Sequence, residues 1–181
     1  MRKVVLSVGI SLDGYIARPD GGLDFLFMPK DYSMAPFFKT VDITLMGRKT
    51  YEVVMKLGGP PKDHKMAMYV FSRSLPPGDR QGMIFVNCSP ADLIGSLRKQ
   101  PGKDMWLSGG GELARDFLQA DLVDEIHLGI VPVLIGDGIP LFPAGFPQRE
   151  FKLIENQTYS KGLVVLKYER VRAKSKAKKR S

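Results

Sequence analysis

The chain has 181 residues and carries 27 Lys/Arg against 19 Asp/Glu, a formal net charge of +8. That length suits one ordinary domain, and a compact domain of this size hides roughly 70% of the surface its unfolded chain exposes, so no staples are needed. Cys88 is the only cysteine and His64 and His127 the only histidines, which excludes an intrachain disulfide and a Cys/His zinc cluster; a reducing compartment, the cytoplasm, is expected.

The opening MRKVVLSVGI has a basic start and an apolar run, but Asp13 cuts the run short and no small-residue cleavage site follows. No segment approaches the ~20 apolar residues that span a bilayer. In chain order, strand-like runs are expected at KVVLSVGI (3–10), DITLM (42–46), MAMYVF (66–71), MIFVN (83–87), DMWLS (104–108), EIHLGIVPVLI (125–135), FKLIENQTY (151–159) and GLVVLKYERV (162–171). Helical patterns alternate with them at PFFKTV (36–41), KTYEVVMK (49–56), SPADLIGSLRKQ (89–100) and GELARDFLQADL (111–122). Ser89 before Pro90 is a cap followed by a proline at the first helical position. Such alternation predicts an α/β sheet with helices on both faces, mainly parallel, and the last two runs add antiparallel strands. The body is one domain over residues 1–169. Residues 170–181 hold seven Lys/Arg and no acid, leaving 20 basic against 19 acidic groups before them. The body is nearly neutral and the end reads as a disordered, solvated tail. A Lys-rich arm can bind phosphate backbones, but no aromatic residue interleaves with these charges, so nucleic acid is not the expected partner.

Chemistry is signalled at three strand ends. Gly109, Gly111 and Ala114 satisfy the G-x-G-x-x-G/A pattern between a strand and a helix. A Rossmann domain would place that turn after its first strand, with an acid closing the second; here the turn comes past the midpoint and Asp124 and Glu125 precede a strand. DITLM leads into Gly47, Arg48, Lys49 and Thr50, and MYVF into Ser72, Arg73 and Ser74. Each places hydroxyls, fixed cations or helix-start N–H groups where ligands gather on open α/β sheets. Glycine turns admit a pyrophosphate, and arginines fork onto a terminal phosphate. Together they describe NADPH better than NADH.

These residues resemble the dihydrofolate reductase-like superfamily, and within it the reductases similar to the C-terminal domain of the bifunctional riboflavin-biosynthesis deaminase/reductase. The likeness runs through SLDGYIA (11–17), MGRKTYE (46–52), FSRSL (71–75), SGGGELARDFL (108–118) and LVDEIHLGIVPVLIGDGIPLF (122–142). It implies a mixed sheet of about eight strands, NADPH as hydride donor and a homodimer. It implies also that Arg48, Lys49, Thr50, Ser72 and Arg73 meet the adenosine-phosphate end and Gly109, Gly110, Gly111 and Glu112 the pyrophosphate, with Gly47 and Ser108 also in the cofactor site. Four features depart from the patterns of these reductases. The zinc deaminase half, with its H-x-E and P-C-x-x-C signature, is absent. Leu107 and Ser108 stand where an acid precedes the glycines, and RPDGGLDFLF replaces an arginine-rich substrate segment. PFFKTV offers Lys39 and Thr40 where folate reductases carry a carboxylate.

The expected activity is therefore hydride transfer to a small heterocyclic or carbonyl substrate, pteridine- or aminopyrimidine-like; the alternative is a protein that binds NADP(H) without turnover. Hydride addition needs a proton for the partner atom. Asp13, in a D-G turn after the first strand, is the first candidate acid, and an ordinary turn carboxylate is the competing reading. Asp24 is the second. Tyr15, Phe27 and Tyr51 are candidates to border a flat ring, against a core role. Trp106 reads as packing, His127 as a satisfied or interface histidine, and Cys88 as a small buried side chain.

Overall fold

A computed structural model describes residues 1–60 and 65–172. The elements run β1 (Val4–Ile10), β2 (Tyr15–Ala17), α1 (Ala35–Phe38), β3 (Val41–Gly47), α2 (Arg48–Lys56), β4 (Ala67–Phe71), β5 (Gly78–Arg80), β6 (Met83–Val86) and α3 (Pro90–Leu97). They continue β7 (Asp104–Gly109), α4 (Gly111–Gln119), β8 (Glu125–Ile130), β9 (Ile139–Pro140), β10 (Phe151–Thr158), a 3-10 turn (Ser160–Gly162) and β11 (Val164–Arg170).

Nine strands form one sheet in the order β10-β11-β8-β1-β7-β3-β4-β6-β5, and β2 pairs with β9 in a small second sheet. The six strands from β8 to β6 are mutually parallel, while β5, β10 and β11 add antiparallel edges. This is the mixed α/β sheet expected from the sequence, with one strand more than the eight foreseen. β2, β5 and β9 are too short, at two or three residues, to show a period.

Two faces bury different side chains. Val4, Leu6, Leu45 and Leu107 meet Ile94, Leu97, Leu113 and Phe117 of α3 and α4. Phe117 and Leu107 are fully buried, each contributing about 1.5–3 kcal/mol. Met46, Met68, Val70 and Phe85 meet Tyr51 and Met55 of α2 on the other face, with the Tyr51 ring edge-on to Phe85 at 5.0 Å. Tyr51 is therefore packing, not part of a ring-binding wall. A third cluster of Phe25, Val131, Leu163 and Val165 lies under the loop 18–34, with Leu26, Phe27 and Tyr32 packed on it.

The expected cap is present, as Ser89 Oγ accepts from the Asp92 N–H at 3.2 Å. Other expectations are corrected. The strand read through Ile135 stops at Ile130, because Pro132 cannot donate to a ladder and the backbone turns to join Leu12 N–H to Val133 O. PFFKTV forms a single turn, Ala35–Phe38, before Val41 enters β3. The boundary drawn at 169 falls inside β11: Arg170 is that strand's last residue, and the Arg172 guanidinium donates to Asp124 at 2.7 Å. Residues 173–181, the rest of the expected tail, lie outside the described residues.

Candidate active site

Because the six central strands run the same way, their carboxyl ends share one rim. A cleft of about 1270 Å³ opens along it. Gly47, at the end of β3, is the extended residue before α2, and Gly110, after β7, is the extended residue before α4. Both helices have nine residues and neither start carries a side-chain cap, which leaves first-turn N–H groups directed outward with the positive end of the helix dipole. The two starts are neighbours. A Cβ on Gly47 would lie 3.9 Å from the Gly110 nitrogen, and one on Gly110 would lie 3.5 Å from Thr50 Oγ1. The Gly109–Gly110 peptide is cis.

Gly47, Arg48, Lys49, Thr50, Ser72, Arg73, Ser108, Gly110, Gly111 and Glu112 all line this cleft. Gly109 does not line it; it is the buried last residue of β7 at φ +116°. Ser72 is buried, and its Oγ accepts from Leu75 N–H at 2.9 Å. Ser108 Oγ donates to Leu45 O at 3.3 Å. Arg48 pairs with Glu52 one helical turn on. The Arg73 side chain is 87% exposed, and Glu112, 3.9 Å away, is its carboxylate neighbour.

Of the four substrate-side candidates, Phe27 alone reaches the cleft. Asp13 is corrected from proton donor to loop clamp. Its carboxylate accepts from the Ile135 N–H at 3.1 Å and the Gly136 N–H at 2.8 Å, and hydrogen bonds from Ser11, Gly136 and Ile135 hold its pKa below the ordinary value. It is thus ionised at neutral pH and has no proton to give. Asp24 is bound by the Arg18 fork at 2.6 and 2.8 Å, outside the cleft, and that hydrogen bond lowers its pKa as well. Tyr15 belongs to β2 and pairs with Pro140, also away from the cleft.

Residues given other roles by sequence turn out to form walls. Trp106 and His127 do pack, yet both face the cleft. Trp106 Nε1 donates to Ser7 O at 2.8 Å, and Phe37 meets Trp106 and His127 edge-on at 5.9 and 5.7 Å. His127 Nε2–H donates to Glu125 at 3.0 Å, and Lys3 Nζ donates to the same carboxylate at 2.6 Å. These bonds, that from His127 foremost, bring the Glu125 pKa down to about 2. Cys88, expected to be buried, is exposed on the cleft wall. The alternation of β7 and β8 was the available signal for Trp106 and His127: residues 106 and 108, and 127 and 129, share a face. Leu26, Tyr32, Met34, Leu163 and Val165 also line the cleft, and nothing local in the sequence marks them.

The family model described as the RibD C-terminal domain matches residues 2–165. The chain belongs to the RibD C-terminal domain family. The uncharacterised protein YyaP of Bacillus subtilis strain 168 is 34% identical over 92% of this chain and 94% of its own. YwjB of the same organism is 37% identical over 78% and 83%. Among solved structures, a riboflavin-biosynthesis candidate from Shewanella sp. PV-4 superposes with a TM-score of 0.83 at 27% identity, over 95% of this chain and 100% of that one. A Thermotoga maritima diaminohydroxyphosphoribosylaminopyrimidine deaminase/5-amino-6-(5-phosphoribosylamino)uracil reductase superposes with a TM-score of 0.72 at 15% identity, over 94% of this chain and 57% of that one. The fold is the dihydrofolate reductase-like fold of RibD reductase domains. The RibD C-terminal domain match ends within β11 at Val165, so both rims of the cleft lie inside it. No helix among the described residues is long and apolar enough to cross a membrane.

Proposed function

We propose that this protein is an NADPH-dependent reductase acting on a small heterocyclic or carbonyl compound in the cytoplasm. The observation that supports it most is that Arg48, Arg73 and Gly110, brought from three strand ends, open on one cleft. The donor set fits a dinucleotide with two separate phosphate-bearing regions. Uncapped N–H groups at Gly47–Thr50 and Gly110–Glu112 suit the pyrophosphate, and Arg48, Lys49, Ser72 and Arg73 suit the adenosine-side phosphate. NADPH, when bound, supplies a hydride to a C=N or C=O carbon.

The chain's own part is to orient the partner, shed water and deliver a proton. Trp106, Phe27, Leu26 and Val165 give the water-poor wall. His127 is the proton source in this reading: with both ring nitrogens protonated it gives up the Nδ1 proton and keeps Nε2–H on Glu125. It lines that wall, and Glu125, held as a carboxylate by Lys3, fixes its ring by accepting from Nε2–H. The homodimer belongs to the same proposal: edge strand β10 leaves Leu153 and Ile154 43% and 49% exposed, an apolar edge that a second copy would cover.

Fluorescence titration tests the cofactor. NADPH should bind more tightly than NADH, and R48A together with R73A should erase the difference; equal binding by wild-type protein would overturn the assignment. Because Asp13 and Asp24 are both engaged elsewhere, a protein that binds NADP(H) without turnover is the second reading. NADPH oxidation with pteridines, aminopyrimidine ribosides and quinones separates the two, since a binder oxidises NADPH with none of them.

A further inference from the structure

Charge is divided sharply along the cleft. Among the described residues, its basic lining side chains are Arg48, Lys49, Lys56 and Arg73, all on α2 or just after β4. The part over β1, β8 and β11, with Trp106 of β7 beside it, has no Lys or Arg: its wall is Leu26, Phe27, Met34, Trp106, Leu163 and Val165, and its one imidazole, His127, is hydrogen-bonded to Glu125. Helix starts are divided the same way. β3 and β7 run into α2 and α4, whereas β1 and β8 run into loops, so the helix starts of the cleft stand at the β3–β7 side and none follows β1 or β8. Two cations on neighbouring segments stay out of the cleft lining. Arg18 is forked onto Asp24, and the Lys161 ammonium lies over the outer Phe27 ring at 6.0 Å; neither lines the cleft.

A phosphate dianion needs fixed cations or oriented N–H groups, and burying one without them is strongly unfavourable. A flat uncharged ring needs what this half supplies, apolar surface and aromatic edges. We infer that the substrate is an uncharged, planar ring compound carrying no phosphate. The inference rests on the reductase reading, in which the basic half is taken by the dinucleotide and the apolar half by the substrate. It narrows the substrate class from ring compounds in general to unphosphorylated ones.

The test uses 1-naphthol and 1-naphthyl phosphate, one flat ring system with and without a phosphate, titrated calorimetrically into the full-length protein saturated with NADP⁺. Naphthol should bind at least tenfold more tightly. M34R, which adds a cation to the wall, should shrink that ratio at least threefold. Equal or tighter binding of the phosphate, no binding of naphthol, or a ratio unmoved by M34R overturns the inference. The NADP⁺ titration in the same cell keeps the two readings apart. NADP⁺ binding without the preference for naphthol overturns the substrate class alone. Absence of NADP⁺ binding overturns the dinucleotide reading, while the naphthol comparison on the free protein still decides the chemistry of the apolar half.

Discussion

Glu125 accepts from two donors at once, the His127 ring that borders the cleft and the Lys3 ammonium. With its pKa lowered from 4.5 to about 2, its stabilising effect is complete above pH 4.5 and disappears as pH falls to about 2. E125Q should therefore cost roughly 2 kcal/mol at pH 7 and converge on wild type near pH 2, as read by urea denaturation across that range. A constant difference at every pH would show that packing, not charge, is lost. His127 carries a separate prediction. H127Q should lower substrate-dependent NADPH oxidation about 100-fold while leaving the NADPH dissociation constant within about twofold; undiminished turnover would assign the proton to water. Sequence alone reads His127 as satisfied, and it is, but by a residue two positions away on the same strand face. That arrangement leaves room for the ring to border the cleft as well.

At the scale of the element, the start of α4 is the tightest point of the site. A Cβ on Gly111 would fall 2.2 Å from the Pro140 carbonyl oxygen, so the helix start is fixed against β9 by the absence of a side chain. G111A should destabilise the protein by about 1–3 kcal/mol and weaken NADPH binding, because relief requires α4 or β9 to move away from the rim. Gly95, exposed in α3, is the control: a Cβ there meets nothing within 4 Å, and G95A should stabilise by about 0.5–1 kcal/mol. Thermal melts of the two variants should move in opposite directions, and a shift of the same sign in both would refute the steric account. The glycine turn and its neighbouring strand ends were legible because strand, turn and helix are contiguous in sequence. So were the long apolar strands. The wall made by Leu26, Phe27, Met34 and Leu163 was not, apart from Phe27, because it joins an irregular loop to the start of the last strand. Irregular backbone has no period to betray which side chains turn inward.

Over the whole molecule, both ends of the folded body are tied to one acidic corner. Asp124, 6% exposed, accepts from the Val4 N–H at 2.8 Å, from Arg98 at 2.5 Å and from Arg172 at 2.7 Å. Asp121 takes Arg170 at 2.9 Å. Composition places Arg170 and Arg172 in a basic tail because their partners lie 49 and 48 residues earlier, beyond the reach of local charge patterning. The fold thus returns two of the seven apparent tail cations to the body. A buried carboxylate stripped of a partner is costly, although Arg98 remains beside Asp124, and Arg172 itself is 40% exposed. A chain ending at Arg172 should exceed one ending at Glu169 in stability by about 2 kcal/mol, which is about 4–8 °C in Tm for a protein of this size. Introducing D124N into both chains should shrink that gap to less than half, since Arg172 then loses its charged partner. A gap unchanged by D124N would mean that the strand end itself, and not the ion pair, is what residues 170–172 contribute.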